Sequence, residues 1–154
     1  MSLSLRMCRS NAQSWIKVGF VDPCSSVSSV PIIDSNLFKH LVCVFDVNSS
    51  TYRISLTSAD EQHFSNFIDI VKRTNPSVVT ILSLYNGQAT VSLLSSMVNQ
   101  SSYRKSYMES SIKTARKYRF QGIDLSWLIW SNTTSDMTNA GVVLDEWRVE
   151  VDSE

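Results

Sequence analysis

Asp124, Ser126 and Leu128 occupy alternate positions in the stretch FQGIDLSWLIWSN, residues 120–132. Residues two apart on a strand share a face, so these three side chains point the same way. Carboxyl groups at such positions could run acid–base chemistry, because neighbouring carboxylates push one another's pKa values apart. This face carries one acid, Asp124, then a hydroxyl, then an aliphatic group. Two indoles, Trp127 and Trp130, follow at the strand end. Tyr85 and Asn86 close a second apolar run. His40 and His63 are separated by strand and helix, and each reads as a structural or exposed residue, not a ligand. The three cysteines, Cys8, Cys24 and Cys43, form no CxxC pair and have no histidine at metal-ligand spacing. An odd, scattered set argues against a disulfide framework, and Cys43, in an apolar run, reads as a small core residue.

The elements that must position these residues alternate along the chain. WIKVGFV (15–21), HLVCVFDV (40–47), SVVTILSLY (77–85) and residues 122–128 are short apolar runs, as expected of strands buried on both faces. STYRISL (50–56) alternates and predicts a small accessory strand. IIDSNLFKH predicts a short helix capped by Asp34 or Ser35. Helix is clearest in TSADEQHFSNFIDIVKRTNP. Ser58 with Glu61 three residues on forms a capping box, and Phe64, Phe67, Ile68 and Val71 lie on one stripe. ATVSLLSSMVNQ and SYRKSYMESSIKTARKYRF are helical, the latter with Tyr107, Met108, Ile112 and Ala115 on one side. TSDMTNAGVVLDEWRVEV predicts the last helix. Strands alternating with helices predict an α/β fold with a parallel sheet and right-handed crossovers. Two architectures fit: a small doubly wound sheet, or part of a (β/α)8 barrel. Length alone favours the first, since a barrel takes roughly 250 residues.

Composition narrows the classes. The chain has 154 residues, 43% of them apolar, enough for one core. Lys plus Arg and Asp plus Glu number 14 each, so no basic excess points to nucleic acid and no charge block to a membrane surface. Lys113, Arg116, Lys117 and Arg119 read as a solvated helix face. No apolar run approaches the roughly 18 residues of a membrane span. Residues 1–14 are polar and serine-rich and read as a disordered lead-in, without the apolar core of a secretory signal. No glycine-rich loop follows the first strand, which weakens dinucleotide and P-loop readings. Three Asn-x-Ser/Thr signals occur, at Asn48, Asn99 and Asn132; glycan attachment needs a secretory route, which the N-terminal segment does not supply, and in a Ser- and Asn-rich chain such matches read as chance.

From about Trp15 onward, these segments in this order resemble the N-terminal half of plant class V chitinases of glycoside hydrolase family 18. KVGFV resembles the first barrel strand and NLFKHLVCVF the second. ADEQHFSNFIDIVKRTNPSVVTILS resembles the next helix and third strand. FQGIDLSWLIWSN resembles the fourth strand, and MTNAGVVLDEWRVEV the helix after it. The resemblance implies a partial (β/α)8 barrel, about the first four β/α units, with 15–154 as a truncated family 18 domain.

The family's strand-four signature, Asp-x-Asp-x-Glu, falls on Asp124, Ser126 and Leu128, so only the first acid remains. The family's third-strand Ser-x-Gly-Gly reads Ser83-Leu84-Tyr85-Asn86. In the family the glutamate is the general acid, and the substrate's own N-acetyl group is the nucleophile. Leucine has no proton to give, and a lost general acid alone costs about 10²–10⁴ in rate. The resemblance therefore implies a chitinase-like protein without hydrolytic activity. The alternatives are a weak chitin-oligosaccharide-binding module and a hydrolase assembled from two chains. Chitin or N-acetylglucosamine oligomers are the implied ligands, with Trp127 and Trp130 stacking on sugar rings and Tyr85 and Asn86 bonding sugar hydroxyls. No cofactor, metal, nucleic acid or membrane is implied. An open half-barrel would self-associate. Family relatives are secreted or vacuolar, and the N-terminal segment fixes no compartment.

Overall fold

The computed structural model describes residues 15–21, 33–54, 56–85, 91–126 and 133–153, with His63 and Tyr85 described by their backbone alone. Strand β1 spans Val18–Val21, β2 His40–Asp46, β3 Val79–Tyr85 and β4 Gly122–Asp124. Helix α1 spans Ser58–Thr74, α2 Val91–Asn99, α3 Ser101–Lys117 and α4 Thr134–Asp152. The four strands pair in the order β1-β2-β3-β4, and every pairing is parallel. A doubly wound sheet reverses its strand order at a switch point. Strands laid down strictly in chain order form a sector of a barrel wall. This order corrects the preference that length alone suggested.

The two faces of the sheet follow from register and pleat. Leu41, Cys43 and Phe45 of β2 pair with Thr80, Leu82 and Leu84 of β3, and all six are buried on the helix side. The stripe Phe64, Phe67, Ile68 and Val71 of α1 is fully buried against them. Phe64 is the centre of an aromatic cluster, with ring centroids 4.9 Å from Phe45, 5.2 Å from Tyr118 and 5.7 Å from Phe120. Each such side chain contributes about 1.5–3 kcal/mol by leaving water. The expected α3 stripe, Tyr107, Met108, Ile112 and Ala115, is buried as well, and Lys113, Arg116, Lys117 and Arg119 are exposed. Gly19 of β1 faces the same side. A Cβ there would lie 2.9 Å from Leu41 Cδ2 and from Phe38 Cε1, so a side chain would force these neighbours to shift.

The opposite, inner face carries Val18 and Phe20 of β1, Val42, Val44 and Asp46 of β2, Ile81 and Ser83 of β3, and Gly122 and Asp124 of β4. Here the first strand is uncovered: Phe20 is 66% exposed and Val18 45%.

Several local expectations change. The accessory strand is a single antiparallel bridge, Val47 to Ile54. Asn48 Oδ1 accepts from the backbone N–H groups of Ser50 and Thr51 and curls the chain into a turn. Tyr52 then takes φ +56°, a left-handed conformation, held by burial and by ring contact with Tyr103 at 4.6 Å. A tight turn removes the extended backbone that alternation alone would suggest. The short helix is one 3₁₀ turn, Ser35–Leu37, capped by Asp34. Helix α1 is capped by Thr57 with Asp60 in a reciprocal box, one place before Ser58 and Glu61. Cys43 is fully buried, as expected of a small core residue, but it is disulfide-bonded, which the odd, scattered set of cysteines did not foretell; Cys8 and Cys24 lie outside the described residues.

Polar contacts tie helix α4 to α2 and α3. The Asp136 carboxylate, buried at the first turn, accepts from Ser95 Oγ at 2.8 Å and Asn99 Nδ2 at 3.2 Å. Those hydrogen bonds hold its pKa below the ordinary range, Ser95 first and Thr133 next. Farther along, Glu146 receives both forks of Arg104 at 2.8 Å.

Candidate functional site

Asp124 ends β4 directly opposite Ser83 of β3. Parallel register puts both side chains on the inner face, towards the C-terminal ends of the strands, the end where barrel and open α/β sheets carry their sites. Ser83 is almost wholly buried, and its Oγ donates to Asp124 Oδ2 at 2.7 Å. Ser126 Oγ donates to the same oxygen and lies 3.3 Å from Ser83 Oγ. Two hydroxyls and one carboxylate therefore form a closed triangle. The half-buried acid has its partners, which removes the penalty of about 1–3 kcal/mol for an unmade bond.

Tyr107 of α3 lies beyond the sheet, fully buried, its ring edge-on to Trp147 at 5.9 Å. Burial pushes its phenol well above the ordinary tyrosine range, and the negative charge of Asp124 adds to the shift.

Both serine protons are committed to Asp124, so the triangle can accept from a hydroxyl and orient it but has no proton to offer an acceptor. A proton-sharing pair of carboxylates needs a second acid next to the first, and Ser126 fills the neighbouring position with a neutral group. Serine cannot balance a developing positive charge. Of the candidate residues, the structure brings together Asp124 and Ser126. Leu128, Trp127, Trp130 and Asn86 lie outside the described residues, as does the Tyr85 side chain. Tyr85 is the last residue of β3, in register with Asp46. His40 opens β2 at the opposite end of the sheet from the triangle. Among the described residues no group of three His, Cys, Asp or Glu could hold a metal, and no helix is long and apolar enough to cross a membrane.

Sequence reasoning named Ser83 only as the start of a divergent loop motif and missed its role as partner of Asp124. It also missed the Asp136 anchor, which no spacing along the chain reveals.

The chain matches the model of glycosyl hydrolases family 18 over residues 16–154. It is 44% identical to a class V chitinase of Arabidopsis thaliana over 146 residues, covering 94% of this chain and 38% of that protein. The structure aligns with the class V chitinase of Nicotiana tobaccum, solved in complex with NAG4, at a TM-score of 0.77 and 37% identity, over 90% of this chain and 39% of that one. It aligns with a chitinase-like agglutinin of Robinia pseudoacacia at a TM-score of 0.80 and 34% identity, over 90% of this chain and 42% of the other. The chain thus spans about two fifths of the length of these relatives. On sequence and on strand order alike, the chain belongs to glycosyl hydrolase family 18.

Proposed function

We propose that this chain is a chitinase-like protein that does not hydrolyse chitin. One observation carries this reading: Ser126, at the middle acid position of the family signature, is drawn into the Ser83–Asp124 triangle as a neutral donor. Leu128 stands at the position of the proton donor. The family's reaction needs a proton for the leaving oxygen and a carboxylate to orient and stabilise the N-acetyl group. Leucine supplies no proton, and serine supplies no charge. The two changes remove different parts of the mechanism, so neither compensates the other. The test is product analysis after prolonged incubation of an N-acetylglucosamine tetramer with the purified chain. Unchanged tetramer is expected; shorter oligomers would overturn the reading.

A second reading is weak binding of chitin oligomers. The likeness to an agglutinin favours it, since that relative is chitinase-like and is named for agglutination. Trp127 and Trp130 would stack on pyranose faces, with Tyr85 and Asn86 bonding hydroxyls. Titrating oligomers while following tryptophan fluorescence tests this. A saturable change lost in Trp127→Ala or Trp130→Ala supports it; no change up to saturation of ligand solubility leaves only the first reading. The exposed inner face of β1 further supports self-association of the chain when it is expressed alone.

A further inference from the structure

We propose that Asn48 is an N-glycosylation site and that Asn99, although it carries the same sequence signal, stays unmodified. Both begin Asn-x-Ser triplets: Asn48-Ser49-Ser50 and Asn99-Gln100-Ser101. The two asparagines use their amides in opposite ways.

Asn48 lies two residues beyond β2, in a turn whose residues 48–51 are all exposed. Its carbonyl oxygen is the anchored end, accepting from Ser50 N at 2.9 Å and Thr51 N at 3.0 Å. Its backbone is fixed by Asn48 N donating to Arg53 O at 2.9 Å and Tyr52 N donating to Asn48 O at 2.8 Å. A glycan attaches through Nδ2, and that nitrogen is the end of the amide the turn does not use. A sugar there would leave every one of these bonds intact and extend into solvent.

Asn99 is the last residue of α2, and its Nδ2 is committed. It donates to Ser95 O at 2.7 Å, to Ser95 Oγ at 3.2 Å and to Asp136 Oδ1 at 3.2 Å. Its Oδ1 accepts from Asn139 Nδ2 at 2.5 Å. A sugar on that nitrogen would push α4 away from α2 and uncouple the buried Asp136.

A separate observation points to the compartment. Cys43 is disulfide-bonded, and disulfides form in the oxidising lumen in which asparagine glycans are also attached. The transfer balances with one co-reactant, an oligosaccharide linked to a lipid pyrophosphate. Asn48 Nδ2 forms a bond to the anomeric carbon, the bond from that carbon to the pyrophosphate oxygen breaks, and the lipid pyrophosphate leaves with the electron pair. One amide proton goes to a base of the transferase.

The test is expression of the full chain behind a cleavable leader in plant cells, in a Thr134→Ala background that removes the third signal. Peptides are then mapped after treatment with an amidase that turns a glycosylated asparagine into aspartate. One glycan on the Asn48 peptide is expected. The corresponding mobility shift should be lost in Ser50→Ala, which keeps Asn48 and its turn, and in Asn48→Gln, and should be retained in Ser101→Ala. An unmodified Asn48 in protein recovered from the secretory compartment, or a glycan on Asn99, would overturn the proposal.

Discussion

Ser83 and Asp124 face each other across the β3–β4 ladder, and the serine hydroxyl donates to the carboxylate at 2.7 Å. A buried hydrogen bond to a charged acceptor contributes about 1.5–3 kcal/mol. Ser83→Ala is therefore expected to lower the unfolding free energy by about that much, read as a lower urea midpoint with the slope unchanged. A double-mutant cycle with Asp124→Asn should show the two changes to be non-additive. Additive effects would mean that the contact does not stabilise the sheet.

The Arg104–Glu146 pair makes stability depend on pH. Hydrogen bonding from Arg104 is the main cause that holds Glu146 below the ordinary carboxylate range. Folding therefore favours the ionised form. Its contribution is present above the unfolded-state value, about 4.3, and is lost as pH falls through that value and below. Glu146→Gln should cost about 1–2 kcal/mol at neutral pH, discounted because the Glu146 side chain is 36% exposed and solvent screens the pair. Unfolding curves of parent and variant should converge in acid. A constant difference across pH would assign the effect to packing.

The inner face gives a third expectation. Phe20 is 66% exposed beside Val18, on a strand with one unpaired edge among the described residues. Exposed apolar edges pair with other chains. Sedimentation velocity of the chain alone should show association that rises with concentration, and Phe20→Lys should shift it towards monomer. A compact monomer for the parent chain at micromolar concentration contradicts this.

Much of the fold is legible in the sequence because its signals are periodic. Phe64, Phe67, Ile68 and Val71 announce the buried face of α1, and the apolar runs around Val42 and Leu82 announce central strands. Signals that depend on one residue's geometry shift or fail. Thr57 and Ser58 are both competent caps, and Thr57 takes the role in an extended conformation, its reciprocal box closed by Asp60. The Asn48 turn overrides the alternation of residues 50–56. The bond at Cys43 depends on proximity in space, which cysteine spacing does not encode. At the site, the missing acids are plain in the sequence. The Ser83–Asp124–Ser126 triangle needs the register of two strands whose paired residues, Ser83 and Asp124, are 41 apart in the chain, and only the fold supplies it.

Restoring the signature tests how far the loss extends. Ser126→Asp with Leu128→Glu rebuilds the acid spacing. The resemblance places Tyr85 and Asn86 where the family has its glycine pair at the third strand end. Misplacing a reacting group slightly costs about 10²-fold. The double variant is therefore expected to match a control carrying Ser126→Asp with Leu128→Gln. Turnover above that control would confine the defect to strand four.

The central claim is tested most directly by turnover of a fluorogenic chitin oligomer by the unmodified, folded chain, measured from acid to neutral pH beside an active class V chitinase. The account predicts a rate equal to that of buffer at every pH. Release of fluorophore above buffer, abolished by Asp124→Asn, would contradict it.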